Sequence, residues 1–226
     1  MRRVIRVVSS VLIIAGGLLL IDAALTVAWQ EPVSAVYGHI NQNKLDGQLK
    51  KIEAAPLPVV EQKALTALPD PSKKIAFLAR SQRRHAEDGE AIGKIQIPRI
   101  GANFVVVNGT DAADLRKGPG LYPQTPFPGA GGTTAIAGHR TTYLAPFRKV
   151  NELKKGNRVV VTMPYGRFTY TVERLQIVPP TALWVINRVR YDRLVLSACH
   201  PLYSAAKRII VFARLTDVQP RGKARA

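Results

Sequence analysis

The feature that most restricts the fold is the way residues 91–215 are cut up. Short apolar runs of strand length alternate with turn-forming clusters, with little helical periodicity between them. Residues 91–97 alternate apolar and other side chains and stop at Pro98. Residues 103–107 form a second run, closed by Asn108, Gly109 and Thr110. Runs at 133–137, 158–163 and 168–177 follow, the last two joined as a hairpin across 164–167. Phe168, Tyr170 and Val172 alternate onto one face of that hairpin. Residues 193–196 and 208–215 complete the set, and the final strand is expected to stop at Leu215, where Thr216 and Asp217 turn the chain polar. Short helical pieces are expected at 111–117, ended by Gly118-Pro119-Gly120, and at 143–150. Residues 121–132, rich in Pro and Gly, read as a loop, and 183–186 fits no pattern. About seven or eight short strands with little helix predict an all-β barrel or sandwich.

The flanks read differently. Arg2, Arg3 and Arg6 precede an apolar stretch from Val7 to Trp29, interrupted by Asp22. That is long enough for one membrane-spanning helix, with Trp29 as interfacial anchor and the arginines on the cytoplasmic side. A cleaved signal peptide, cut near the small residues at 24–28, is the competing reading. The predicted organisation is a basic end and anchor over 1–30 and an extracellular stalk over 31–90. A folded domain over 91–216 and a disordered basic tail over 217–226 follow. In the stalk, Pro56, Pro58, Pro69 and Pro71 punctuate polar stretches, with helices expected near 48–55 and 73–84, and the stretch reads as a partly disordered spacer with one helix packed on the folded domain.

The net charge is +18, from 33 Lys and Arg against 15 Asp and Glu. Such an excess suits nucleic acid or an anionic envelope surface. The basic residues are scattered and no nucleic-acid motif accompanies them, so no nucleic-acid partner is expected. The four histidines and one cysteine are far apart in the chain, and no carboxylate triad or glycine-rich phosphate loop stands out, so neither metal nor cofactor is expected.

Chemistry concentrates at the ends of three predicted strands. Cys199, the only cysteine, follows the run at 193–196. His139 follows the run at 133–137, and Arg208 opens the last strand. A thiolate nucleophile needs a cationic or basic neighbour. An imidazole supplies the proton transfers, and a guanidinium, which cannot act as a base, can stabilise an oxyanion. The three together make an acyl-transfer set. In a papain-type protease the cysteine precedes the histidine, whereas here the histidine comes first.

The order Gly138-His139-Arg140, a strand-end cysteine in Cys199-His200-Pro201, then Arg208, resembles the sortases, and most of all the class E sortases of actinobacteria. The resemblance spans residues 91–215 and implies a closed eight-stranded sortase-like β-barrel with short helices behind an N-terminal transmembrane helix. It implies a cysteine transpeptidase that cleaves a Leu-Ala/Pro-x-Thr-Gly-like sorting signal of exported proteins between Thr and Gly. The acyl group would pass through a thioester on Cys199 to a peptidoglycan precursor amine. His139 would be the acid and base, Arg208 the oxyanion or carbonyl holder, and the protein would sit in the cell membrane with its catalytic domain outside. A pilin-polymerising sortase, a relative that mainly hydrolyses, and a catalytically weak envelope-binding β domain are the alternatives. This chain departs from the family in having Ala198 and Val195 where threonines are usual, and Ser197 is expected on the strand face opposite Ala198. Ala198, Ser197, His200, Tyr143, Arg140 and Tyr122 are the candidate substrate contacts, with Tyr203 a candidate on the same footing as Tyr122.

Overall fold

The structure is a computed structural model that describes residues 2–28 and 32–225. Its centre is a closed barrel of eight strands in the order β1-β2-β3-β4-β7-β8-β6-β5. The strands are β1 Ala91–Ile97, β2 Ala102–Asn108, β3 Gly120–Leu121, β4 Thr133–Ala137, β5 Arg158–Met163, β6 Gly166–Val178, β7 Arg193–His200 and β8 Lys207–Pro220. β2 runs parallel to β3 and β4 parallel to β7, while the other pairs are antiparallel. Closure removes every sheet edge, so short strands of modest individual stability share one ladder.

Alternation sorts each strand into two layers. Leu194, Leu196 and Ala198 of β7 lie in the interior core with Ile136, Ile209 and Val211. Val195 faces out, into a second cluster with Ala135, Ile210 and Phe212. That outer cluster is roofed by the β6–β7 connection, residues 179–192, through Val185. Both faces of β7 are therefore covered, which is why its run is continuously apolar. Arg193 fastens the roof: its guanidinium donates to the carbonyls of Val185 at 3.1 Å and Asn187 at 2.8 Å.

Among the described residues, four helices precede the barrel: α1 Arg2–Ala28, α2 Pro32–Ala54, α3 Val59–Thr66 and α4 Pro71–His85. Within α1, Arg3–Ala24 is 22 residues long and apolar enough to cross a membrane, and it buries nothing against the rest of the protein. Trp29 lies outside the described residues. Residues 32–85 are not a free spacer. Leu45 and Leu49 of α2, one turn apart, pack on Ala91, Val105 and Val107 of β1 and β2. The Gln42 amide docks on β2 like a missing strand, donating to the Val105 carbonyl at 3.1 Å and accepting from its N–H at 2.7 Å. Leu65 of α3 and Ile75, Leu78 and Ala79 of α4 enter the interior cluster. Asp70 caps α4 by accepting from Ser72 N–H at 2.7 Å, with Pro71 in the first turn.

Three further expectations are corrected. β8 does not stop at Leu215: it continues to Pro220, where it pairs with Gly166 of β6. Thr216 and Asp217 are polar because that half of the strand is exposed, not because pairing ends. The described part of the tail, residues 221–225, packs on the barrel, with Ala224 only 3% exposed inside the core cluster and Arg221 N–H bonded to the Tyr165 carbonyl at 3.0 Å. Residues 143–149 are not helical, because Tyr143, Leu144 and Ala145 take φ of 51°, 65° and 41°, and only a 3-10 turn follows from Val150. Such left-handed backbone cannot continue a right-handed helix. The short helix or helical turn expected over 111–117 is present as the single turn α5, Ala112–Leu115.

Candidate active site

The register places the three candidate residues side by side. β4 and β7 pair in parallel with Ala137 opposite Ser197. Gly138 N–H extends that ladder by donating to the Ser197 carbonyl at 3.0 Å, so His139 leaves the sheet next to Cys199. On the other side, Cys199 stands directly opposite Arg208 in the antiparallel β7–β8 pair. Neighbouring strands lie about 4.8 Å apart, so the imidazole and guanidinium backbones flank the thiol backbone at about one strand spacing each. Directly opposed residues share a face, so Cys199 and Arg208 belong to the outer layer, one row beyond Ser197 and Ile210, and His139 leaves β4 at that end of the sheet. All three are partly buried.

Gly138 makes the close packing behind His139 possible. A Cβ there would fall 2.6 Å from the fully buried Phe147 ring. The loop after His139 closes back on it, with Phe147 N–H donating to the His139 carbonyl at 2.9 Å. The Tyr143 ring lies 5.4 Å from the imidazole. Burial, and secondarily the charge of Arg116, lower the His139 pKa from its ordinary value of 6.5. A weakly basic imidazole, once protonated, gives its proton up readily, which suits a general acid.

Arg208 donates through Nη1 to the carbonyls of Ala205 at 2.8 Å and Lys207 at 3.0 Å. These bonds hold its stem at the rim of a cavity of about 50 Å³ shared with Tyr122, Ser197, Ile210, Val178 of β6 and the roof residues Leu183 and Val185. Larger cavities exist, about 550 Å³ beside residues 188–192 and about 230 Å³ between the helices and Tyr165. Neither is lined by Cys199, His139 or Arg208.

The candidate substrate contacts divide. Ser197 and Tyr122 lie in the groove beside Arg208. Ala198 does not: it is 3% exposed in the barrel interior, because adjacent strand residues alternate faces. The hydroxyl absent at position 198 is therefore absent from the core side of β7, not from the face that carries Cys199. Arg140 is not a surface contact either. It is 4% exposed, and it donates to the Arg148 carbonyl at 3.1 and 3.2 Å, to Asn151 Oδ1 at 2.6 Å and to the Cys199 carbonyl at 3.2 Å. It binds the histidine loop to the cysteine strand from beneath. His200 Nδ1 lies 3.4 Å from the same guanidinium. Tyr203 is exposed and packs on Arg148, its hydroxyl 3.2 Å from Nη2. Asn151 and Arg193 carried no sequence signal of their own, since each works through backbone carbonyls or a single amide.

Residues 95–216, just over half of the 226-residue chain, match the family model described as the Sortase domain. The chain belongs to the sortase family. Sortase D of Bacillus subtilis (strain 168) is 36% identical over 132 residues, 57% of this chain and 65% of that protein. Sortase SrtE1 of Streptomyces coelicolor is 27% identical over 155 residues, 61% of this chain and 44% of that protein. The chain thus spans less than two thirds of the length of these two curated relatives. The solved structure of sortase E from Streptomyces avermitilis superposes with a TM-score of 0.55 at 34% identity, covering 59% of this chain and 93% of that one. This sortase therefore has the expected family barrel, and its likeness to class E members agrees with the motif reading.

Proposed function

We propose that this sortase is a membrane-anchored cysteine transpeptidase in which Cys199, His139 and Arg208 are the catalytic residues. The observation that carries the reading is that Cys199 of β7 stands opposite Arg208 of β8, with His139 two residues past the end of β4, the strand on the other side of β7. The Cys199 thiolate attacks the carbonyl carbon of a Thr–Gly bond in a Leu-Ala-x-Thr-Gly or Leu-Pro-x-Thr-Gly signal of an exported protein. Arg208 faces the oxyanion that develops on that carbonyl. The C–N bond breaks, the protonated His139 gives its proton to the departing glycine amine, and a thioester remains on Cys199. An amine of a peptidoglycan precursor then attacks the thioester, passes a proton to His139 and expels the thiolate. One amide bond is exchanged for another, with no external oxidant or energy source.

The groove roofed by residues 179–192 and floored by Ser197 receives the signal, with Tyr122 at its side. α1 is the uncleaved anchor, its arginines in the cytoplasm and the barrel outside the membrane. The arrangement of Ala198 favours a working enzyme over a weak envelope-binding domain, since the unusual alanine faces the core.

The test uses the full chain in detergent micelles with labelled Leu-Ala-x-Thr-Gly and Leu-Pro-x-Thr-Gly peptides, with and without an amine acceptor, beside Cys199→Ala. Cleavage between Thr and Gly that needs Cys199, with an amine-dependent product, is expected. Cleavage insensitive to Cys199→Ala would remove the proposal.

A further inference from the structure

The loop that carries His139 is held in place by a helix outside the matched family domain. Tyr143, Leu144 and Ala145 are three consecutive left-handed residues, none of them glycine. Such backbone costs roughly 1–2 kcal/mol per residue and persists only where its surroundings enforce it. Within the loop, Ala145 N–H donates to the Thr142 carbonyl at 2.8 Å. From outside, α2 grips the same residues. Ser34 Oγ accepts from Tyr143 N–H at 3.1 Å. The Tyr37 ring meets the Tyr143 ring edge-on at 6.0 Å, and Tyr143 in turn lies 5.4 Å from the imidazole of His139. Gly38 lets the helix come close: a Cβ there would sit 2.7 Å from Leu144 Cγ and 3.3 Å from the Tyr143 carbonyl carbon. Further along, Gln42, Leu45 and Leu49 fix the helix to β1 and β2. Ser34, Tyr37, Gly38, Gln42, Leu45 and Leu49 follow the spacing of one helix face.

We propose that α2 is a clamp on the general acid, with Tyr37 and Ser34 as positioning residues that hold Tyr143 against His139. The clamp rests on the assignment of His139 above and extends the working site into the segment that joins the barrel to the membrane helix. With α2 seated, the strained loop presents the imidazole beside Cys199. With α2 lifted, the left-handed turn relaxes and His139 loses its cover.

Tyr143 on its own loop lies against the His139 ring, Tyr37 stands behind Tyr143, and Arg116 acts through its charge, while Cys199 on β7 separates the end of β4 from Arg208 on β8. Since burial is the main cause of its low basicity, uncovering the ring raises its titration midpoint.

The experiment compares full-length protein in micelles with Tyr37→Ala, Tyr37→Phe and Val36→Ala. Tyr37 is 48% exposed and Val36 61% exposed, so neither truncation empties the core. One arm measures kcat and KM on the signal peptides, and the other follows the His139 ring proton by NMR titration. Tyr37→Ala is expected to lower kcat about three- to tenfold, the range set by an aromatic pair, with KM little changed. It should also move the His139 midpoint upward. Tyr37→Phe, which keeps the ring, should restore both values, and Val36→Ala should match the parent. A His139 midpoint unmoved in Tyr37→Ala overturns the clamp, whatever happens to kcat. If the parent protein processes no signal peptide, the proposed function fails, and the titration still decides the clamp by itself.

Discussion

Arg140 offers the sharpest perturbation, because one side chain joins the two halves of the site. Replacing it with alanine removes donors from the Arg148 carbonyl, Asn151 Oδ1 and the Cys199 carbonyl in a region where Arg140 itself is only 4% exposed. Each buried acceptor left short of a donor costs about 1–3 kcal/mol. The three losses are not additive, water refills part of the space, and the removed charge no longer has to be desolvated. A net destabilisation of about 3–5 kcal/mol follows, the range for breaking a buried charged network. Arg140→Lys keeps the charge but not the fork, so it reaches fewer of the three acceptors and should lose about half as much. Urea unfolding of the micellar protein followed by tryptophan fluorescence reads this directly. Trp184 stacks on Phe212 at 6.3 Å and so reports on the barrel wall. Because Arg140 ties His139 to Cys199, kcat should fall in both variants at urea-free conditions. An Arg140→Ala protein within about 0.5 kcal/mol of the parent, with kcat intact, would refute the brace.

Other expectations follow from the same contacts. The folded protein holds His139 with a lowered pKa, so near and below pH 6.5 the unfolded chain binds the proton first. The stability His139 contributes is therefore complete above 6.5 and is lost as pH falls toward the lower folded value. Stability measured against pH for the parent and His139→Gln should diverge in that window, and parallel curves would contradict a buried imidazole. Ala198→Thr puts a hydroxyl into the apolar interior, so it should lower the melting temperature without raising kcat, and a gain in kcat would show that position 198 serves the substrate face. Arg193→Met releases the carbonyls of Val185 and Asn187, so residues 179–192 should become more open to limited proteolysis and KM for the signal peptides should rise. An unchanged digestion pattern and KM would mean the roof stays fixed without Arg193.

The barrel was legible because its strands carry short apolar runs bounded by Pro and Gly, and the runs at 91–97, 133–137 and 158–163 have those bounds in the structure. β3 was not legible, since a two-residue strand in a loop has no period to read. The second half of β8 was hidden for a different reason. Its residues are polar and exposed, and only pairing with the long β6 reveals them as strand. The set of His139, Cys199 and Arg208 could be named from residue type and family resemblance. Strand parity also put Ser197 opposite Ala198 in advance. What the sequence hid was which of those two faces lies outward, because both faces of β7 are covered and its text carries no inside–outside pattern. Arg140 read as a surface contact because arginine is rarely this buried, and its partners are mainly backbone carbonyls with no residue signature. The role of α2 was obscured by its polar composition, although Leu45 and Leu49, with Gln42 one turn before, were spaced to share a face.

The central claim is that Cys199 carries the acyl group. The most direct measurement is the intact mass of the micellar protein trapped with a Leu-Ala-x-Thr-Gly peptide in the absence of an amine. The account predicts an added mass equal to the acyl fragment ending at threonine, that is, the peptide up to its threonine less one water, mapped to Cys199, missing in Cys199→Ala and discharged by an added amine. Turnover of the peptide with no such adduct, or an adduct that survives Cys199→Ala, would contradict it.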